Sequence, residues 1–256
     1  MLDDRPFVSA NGIAIHYRRT GGAKLPIVLL HGLTGTGATW APIARALECD
    51  FDVVMPDARG HGDSSAPLHG YSYDDHANDV LGLIAKLELD RPIVVGHSMG
   101  GMVAAVVATR ARLRGVVLVD PTFLSAERQR DVRDSDVAEQ HRRVLGLDRA
   151  DVVADLRARH PRRPLEIIEL LADARQATRL AAFDVLTPPN PDYRELMRAI
   201  DVPSLLVIGD SPVVTLEQAA ELGVRVEQIR DAGHGVPFDQ PARLAEVVAA
   251  FAGIVR

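Results

Sequence analysis

Six short runs of aliphatic and β-branched residues punctuate the chain, and each is followed by a turn and then by residues at helical spacing. The runs are Ile27-Val28-Leu29-Leu30, Val53-Val54-Met55, Ile93-Val94-Val95, Val116-Val117-Leu118-Val119, Leu205-Leu206-Val207-Ile208 and Val224-Arg225-Val226. Strand, crossover helix, strand is the order that builds a parallel sheet, and strands apolar along their whole length imply helices on both faces. The expected fold class is therefore α/β, with a doubly wound, mostly parallel sheet. In such open sheets ligands bind beyond the carboxyl ends of the strands, so the loops after these runs are where chemistry is sought. The first residues read differently. Phe7–Ala10 and Ile13–Tyr17 flank Asn11-Gly12, a pair suited to a tight turn with positive φ, and predict an antiparallel hairpin on one sheet edge.

With 256 residues and 47% hydrophobic composition, the chain can bury one sizeable core, and one domain with an insertion fits better than two domains. The formal net charge is -6 with both signs interspersed and no basic stripe, which argues against nucleic acid or an anionic membrane and for a small-molecule substrate as partner. The start, Met1-Leu2-Asp3-Asp4-Arg5-Pro6, has no basic patch leading into an apolar stretch, and no later segment is apolar for long enough to span a bilayer, so a cytoplasmic location is expected. Cys49 is the single cysteine; it cannot pair within the chain, and it reads as the end of a helix.

Between Val119 and Pro203 the β-branched runs vanish and helical spacing takes over. Ser125 can cap a helix running toward Arg143, Asp148 can cap a second that stops before Pro161, Pro164 can open a third, and Asn190-Pro191-Asp192 begins a fourth. Residues 122–201 are thus expected to form a helical cap inserted into a core of 1–121 and 202–256. Placed above the strand ends, such a cap would shape a pocket and exclude water. Each arginine of this stretch is read as part of a solvated helix surface. Its aromatics, Phe123, Phe183 and Tyr193, are read as packing within the cap.

The most chemical signal is Gly96-His97-Ser98-Met99-Gly100, directly after Pro92-Ile93-Val94-Val95 and directly before the helix-like Gly101–Ala108. Glycines on both sides of a serine allow a strand-to-helix turn so tight that the serine backbone is strained and its hydroxyl lifted clear, a nucleophile elbow. The N–H of Met99 would then point to where charge builds on a carbonyl oxygen, helped by the positive end of the helix. A serine hydroxyl needs a base to take its proton. His234, between Gly233 and Gly235 after the last strand, is the candidate. His97 is read as packing or hydrogen-bonding in the core, and His31 and His61 as organisers of their loops.

Taken with His31-Gly32-Leu33-Thr34-Gly35, Asp57-Ala58-Arg59-Gly60-His61-Gly62-Asp63-Ser64 and Gly233-His234-Gly235, the elbow resembles the α/β-hydrolase family over nearly the whole chain. The resemblance implies an oxyanion hole from the N–H groups of Leu33 and Met99. It also implies a structural turn at Asp57, Arg59 and Asp63 in place of a metal cluster with His61, and no metal or organic cofactor. The acid that orients His234 stays open between two aspartates at strand ends. Most members place it a few residues past a glycine like Gly209, a slot held here by Ser211-Pro212-Val213, which leaves Asp210. Others place it after the earlier strand, where Asp120 stands; Asp120 is preferred, with Asp210 as the alternative.

These readings converge on a cofactor-independent serine hydrolase of a small, mostly apolar carboxylic ester or lactone, with an acyl-enzyme on Ser98. The alternatives are a carbon–carbon bond hydrolase of diketone-like substrates, a cofactor-free dioxygenase that uses the histidine–aspartate pair as base, and a non-catalytic ligand-binding protein.

Overall fold

The computed structural model describes residues 6–255. Eight strands form one sheet in the order β1-β2-β4-β3-β5-β6-β7-β8: β1 (Phe7–Ala10), β2 (Ile13–Arg19), β3 (Leu25–Leu30), β4 (Phe51–Pro56), β5 (Ile93–His97), β6 (Gly115–Val119), β7 (Ser204–Ile208) and β8 (Arg225–Gln228). β1 and β2 form the antiparallel hairpin, with Asn11 and Gly12 both at positive φ, and β2 runs antiparallel to β4; the other pairs are parallel.

Side chains alternate across each strand, so one run feeds two cores. Val28, Leu30, Val94, Val116, Leu118 and Leu206 pack with α2 (Tyr73–Lys86) and α3 (Met99–Ala108). Their neighbours Ile27, Leu29, Ile93, Val95, Val117, Val119 and Leu205 pack on the other face with α1 (Ala41–Leu47) and the C-terminal helix over Pro241–Ile254. α2 starts at a capping box, in which Ser72 accepts from the Asp75 N–H and the Asp75 carboxylate accepts from the Ser72 N–H.

Between β6 and β7 lie α4 (Ala126–Asp134), α5 (Val137–Leu145), α6 (Arg149–Arg159), α7 (Leu165–Gln176), a 3-10 segment over Leu180–Leu186 and α8 (Tyr193–Ala199). The expected single helix from Ser125 to Arg143 is broken in two. Ser125 does cap α4, but Ser135 is extended with its hydroxyl donated to the Val132 carbonyl, and Asp136 stands at the N-terminus of α5 with its carboxylate bound to Gln140. Ser and Asp bond nearby main chain more readily than they continue a helix, and few apolar contacts on α4 oppose the break. Val152, Leu156, Ile167, Ile168, Leu171 and Ala172 make a separate small core between α6 and α7. Phe123 and Tyr193 stack at 5.1 Å within the packed interior.

After β7 come α9 (Leu216–Leu222), β8, the short α10 (Val236–Asp239) that the sequence reading missed, and α11 (Pro241–Ile254). Among the described residues no helix is long and apolar enough to cross a membrane.

Candidate active site

Ser98 sits between β5 and α3 with φ 54° and ψ -116°, a conformation that costs a non-glycine residue of order 1–3 kcal/mol. The flanking glycines make the turn possible. A Cβ on Gly96 would lie 2.0 Å from the Gly100 carbonyl oxygen, and one on Gly100 would lie 2.3 Å from that of Leu30. The turn is pinned by Ser98 N–H to Val119 O at 3.0 Å and by Thr122 N–H to Ser98 O at 3.2 Å.

His234 brings its Nε2 to 3.0 Å from Ser98 Oγ and its Nδ1 to 2.6 Å from Asp120 Oδ2. Asp120 is fully buried, and its second oxygen accepts the main-chain N–H groups of Val213 at 2.8 Å and Val214 at 3.4 Å. Two main-chain donors from the loop after β7 thus fix the carboxylate against the Nδ1 edge of the imidazole. With Nδ1–H donated to Asp120, the His234 tautomer leaves Nε2 free to accept from the serine. The alternative acid, Asp210, does not reach His234. It is exposed and accepts from the Asp231 N–H at 2.7 Å and from Gln228 at 3.4 Å. The reason is local: Asp210 is tied to the β8 side of its loop, while the chain that follows it curls inward and presents Val213 and Val214 to Asp120.

His97 is buried beneath the pair. Its Nε2–H donates to the His234 carbonyl at 2.8 Å, its ring centre lies 5.0 Å from that of His234, and burial pushes its pKa down to about 3, helped by the neighbouring His234. It therefore stays neutral and tethers the His234 main chain. His31 spans its own loop, with Nδ1–H donated to Gly32 O at 2.8 Å and Nε2 accepting from Ala58 N–H at 3.0 Å. The His61 Nδ1–H donates to Arg59 O at 2.9 Å.

The Asp57 turn is held by hydrogen bonds. Asp57 accepts from Gly37 N–H at 2.7 Å, His16 Nδ1 at 2.8 Å and Asp63 N–H at 3.1 Å, while Arg59 pairs with buried Asp79 at 2.6 and 2.5 Å. Burial acts to raise the Asp57 pKa, but the bonds from His16, Asp63 and Gly37 hold it below the usual carboxylate value. His16, on β2, is a partner of this turn that the motif alone did not reveal.

Gly32 lies against the elbow, where an added Cβ would stand 3.2 Å from Ser98 Cβ, and Leu33 lines the same cleft as Ser98. Among the described residues, the N–H groups of Leu33 and Met99 have no hydrogen-bond acceptor. Ser98, His234 and the Leu33 loop open into a cleft of about 370 Å³, in the range of small-molecule sites. Its opposite wall comes from the insertion: Leu156 and His160 one turn apart at the end of α6, Leu171 and Arg175 one turn apart on α7, and Arg163 between the helices. Arg163 and Arg175 therefore depart from the solvated-surface reading. For Arg175 the available signal was Leu171, four residues earlier on the same helix, since a polar residue one turn from a buried leucine shares its face; Arg163, between the helices, had no such signal.

The profile of the alpha/beta hydrolase fold matches residues 26–241, and this chain belongs to that family. It is 30% identical over 243 residues to N-formylmaleamate deformylase of Pseudomonas putida, covering 91% of this chain and 90% of that protein. Among solved structures it resembles the enol-lactonase of Burkholderia xenovorans, with TM-score 0.78, 27% identity and coverage of 97% and 100% of the two chains. It also resembles a thermophilic esterase of Thermogutta terrifontis, with TM-score 0.80, 26% identity and coverage of 98% and 99%. Hydrolysis is what these relatives have in common, and the chain is a hydrolase of this fold.

Proposed function

We propose that this hydrolase works through a Ser98–His234–Asp120 triad on a small carboxylic ester or lactone. The observation that carries the reading is the unbroken line from Asp120 Oδ2 through His234 to Ser98 Oγ, at 2.6 and 3.0 Å. Ser98 Oγ attacks the carbonyl carbon as its proton passes to His234 Nε2. Asp120 stays ionised, holds the tautomer and stabilises the imidazolium. The oxyanion is met by the N–H groups of Leu33 and Met99, and His234 then gives its proton to the departing alkoxide oxygen. Water, deprotonated by His234, attacks the acyl-enzyme; the acid is released and Ser98 regains its proton. The helices between β6 and β7 act as the cap, and Leu156, Leu171 and Phe238 offer an apolar wall for the body of the substrate.

The test is covalent. A fluorophosphonate should modify Ser98, read by peptide mass spectrometry. Ser98→Ala should remove labelling and lower kcat on 4-nitrophenyl esters or lactones by about a million-fold with an unchanged circular dichroism spectrum. Near-normal turnover by that variant would sink the acyl-enzyme. Leu33→Ala should change little, because the donor is main chain.

A further inference from the structure

Arg175 projects from α7 into the cleft, and among the described residues its guanidinium has neither a hydrogen bond nor an ion pair. The cations around it are satisfied. Arg159 holds Asp155 through both carboxylate oxygens at 2.9 Å, and Arg163 donates to Asp239 Oδ1 at 2.7 Å while Asp239 Oδ2 accepts the Gly233 N–H at 3.0 Å. Asp239 is the only acid lining the cleft among the described residues, so the lining carries one uncompensated positive charge. Burial and the charge of Arg159 lower the Arg175 pKa, with Asp155 opposing and Arg163 adding to the effect; a guanidinium still remains protonated at neutral pH. His160 on the same wall is pushed down by burial and by Arg163, and it adds no second charge at neutral pH.

A half-buried cation that no protein group neutralises is costly, and the cost is recovered when a ligand anion fills the place. The guanidinium fork matches a carboxylate in a bidentate pair. A single unpaired charge suits a carboxylate of charge minus one better than a phosphate monoester, which carries closer to two.

We propose that Arg175 is a carboxylate-binding residue, and that the substrate opened at Ser98 is a small apolar acyl compound bearing one free carboxylate. This rests on the serine hydrolase reading above and names the substrate class for it. Leu156, Leu171 and Phe238 would line the stretch between the scissile carbonyl and the anionic end.

The experiment compares 4-nitrophenyl butyrate with 4-nitrophenyl hemiglutarate, which differ by the terminal carboxylate alone, in the wild type, Arg175→Gln and Arg175→Lys. The expected result is a wild-type preference for the hemiglutarate in kcat/KM. Arg175→Gln should lose about 100-fold on that ester, mainly through KM, and stay within about threefold on the butyrate, while Arg175→Lys recovers part of the loss. Equal use of the two esters, or an equal loss on both in Arg175→Gln, overturns the subsite and leaves the hydrolase reading standing. If the wild type turns over neither ester, it is the ester hydrolase reading that fails. The subsite is then read by calorimetric titration of glutarate: binding that disappears in Arg175→Gln supports it, and no binding to the wild type, or equal binding to the two proteins, overturns it.

Discussion

Asp120 meets two kinds of donor, and they make its neutral isostere a sharp probe. An asparagine can keep the oxygen that receives Val213 and Val214, but it then turns an NH2 group toward His234. The imidazole must present an acceptor at Nδ1 and carry its proton on Nε2, where it can no longer take the serine proton. Asp120→Asn should therefore lower kcat by about four orders of magnitude with the fold retained. Asp210→Asn should stay within about threefold in the same assay, because among the described residues the Asp210 carboxylate accepts only from Asp231 and Gln228, away from His234. Gly32 makes a second probe. A methyl there would press on His97 Nδ1 and Ser98 Cβ, both at 3.2 Å, so Gly32→Ala should cost about tenfold in kcat by moving Ser98 or the Leu33 loop, with KM little changed. Ser98 and His234 could be read from sequence because each stands in a local glycine pattern that only a turn of one shape satisfies. The acid could not be chosen that way. Its place depends on how the loop after β7 folds, and here Val213, in the slot where most of the family carries the carboxylate, supplies an N–H to the carboxylate of the neighbouring strand.

The elements of the core were legible for a physical reason: strands buried on both faces have to be apolar at every position, and the helix ends carry capping residues such as Ser72 and Thr215. The insertion was less legible. Its helices bury little, α4 has only Gln129 buried, and the break at Ser135 rests on side-chain bonds that no periodicity announces. Charge obscured the cleft as well, since arginines abound in this stretch and only its spacing from the buried Leu171 sets Arg175 apart. The insertion meets the core through ion pairs, Arg45 to Glu166 at 2.5 Å and Arg163 to Asp239 at 2.7 Å, and through Val185 and Tyr193, which are buried in the main core, while a separate small core lies between α6 and α7. Replacing residues 125–178 by a short linker, which leaves Val185 and Tyr193 in place, is therefore expected to alter KM and the ranking of an ester and lactone panel far more than it lowers the melting temperature. A folded, shortened protein with an unchanged ranking would show that these helices do not select the substrate.

At the scale of the molecule, buried neutral histidines couple stability to acid. Burial pushes both His97 and His76 down to about 3, with neighbouring cationic groups adding to the effect, and it pushes His61 well below its usual value. Below the unfolded-state value of about 6.5 the unfolded chain takes up protons that the folded chain refuses, so stability falls as pH drops from there toward about 3 and is independent of these groups above it. Each such histidine contributes a slope of about 1.4 kcal/mol per pH unit inside that window. Urea denaturation at pH 5 and pH 7 should show the loss, and His76→Gln, on α2 and outside the lining of the Ser98 cleft, should flatten the difference. The way the insertion is attached has a further consequence. It leaves the core at the end of β6, on the sheet edge where Asp120 accepts from Val213 and Val214, whereas β7 begins beside Val116, nearer the opposite edge, after α8 has packed on α3. The return across the sheet thus belongs to α8, and the helices before it hang on the edge that carries Asp120. Lineages of this protein could trade those earlier helices for others of different length or charge, inheriting the proposed proton relay intact while acquiring a new diet.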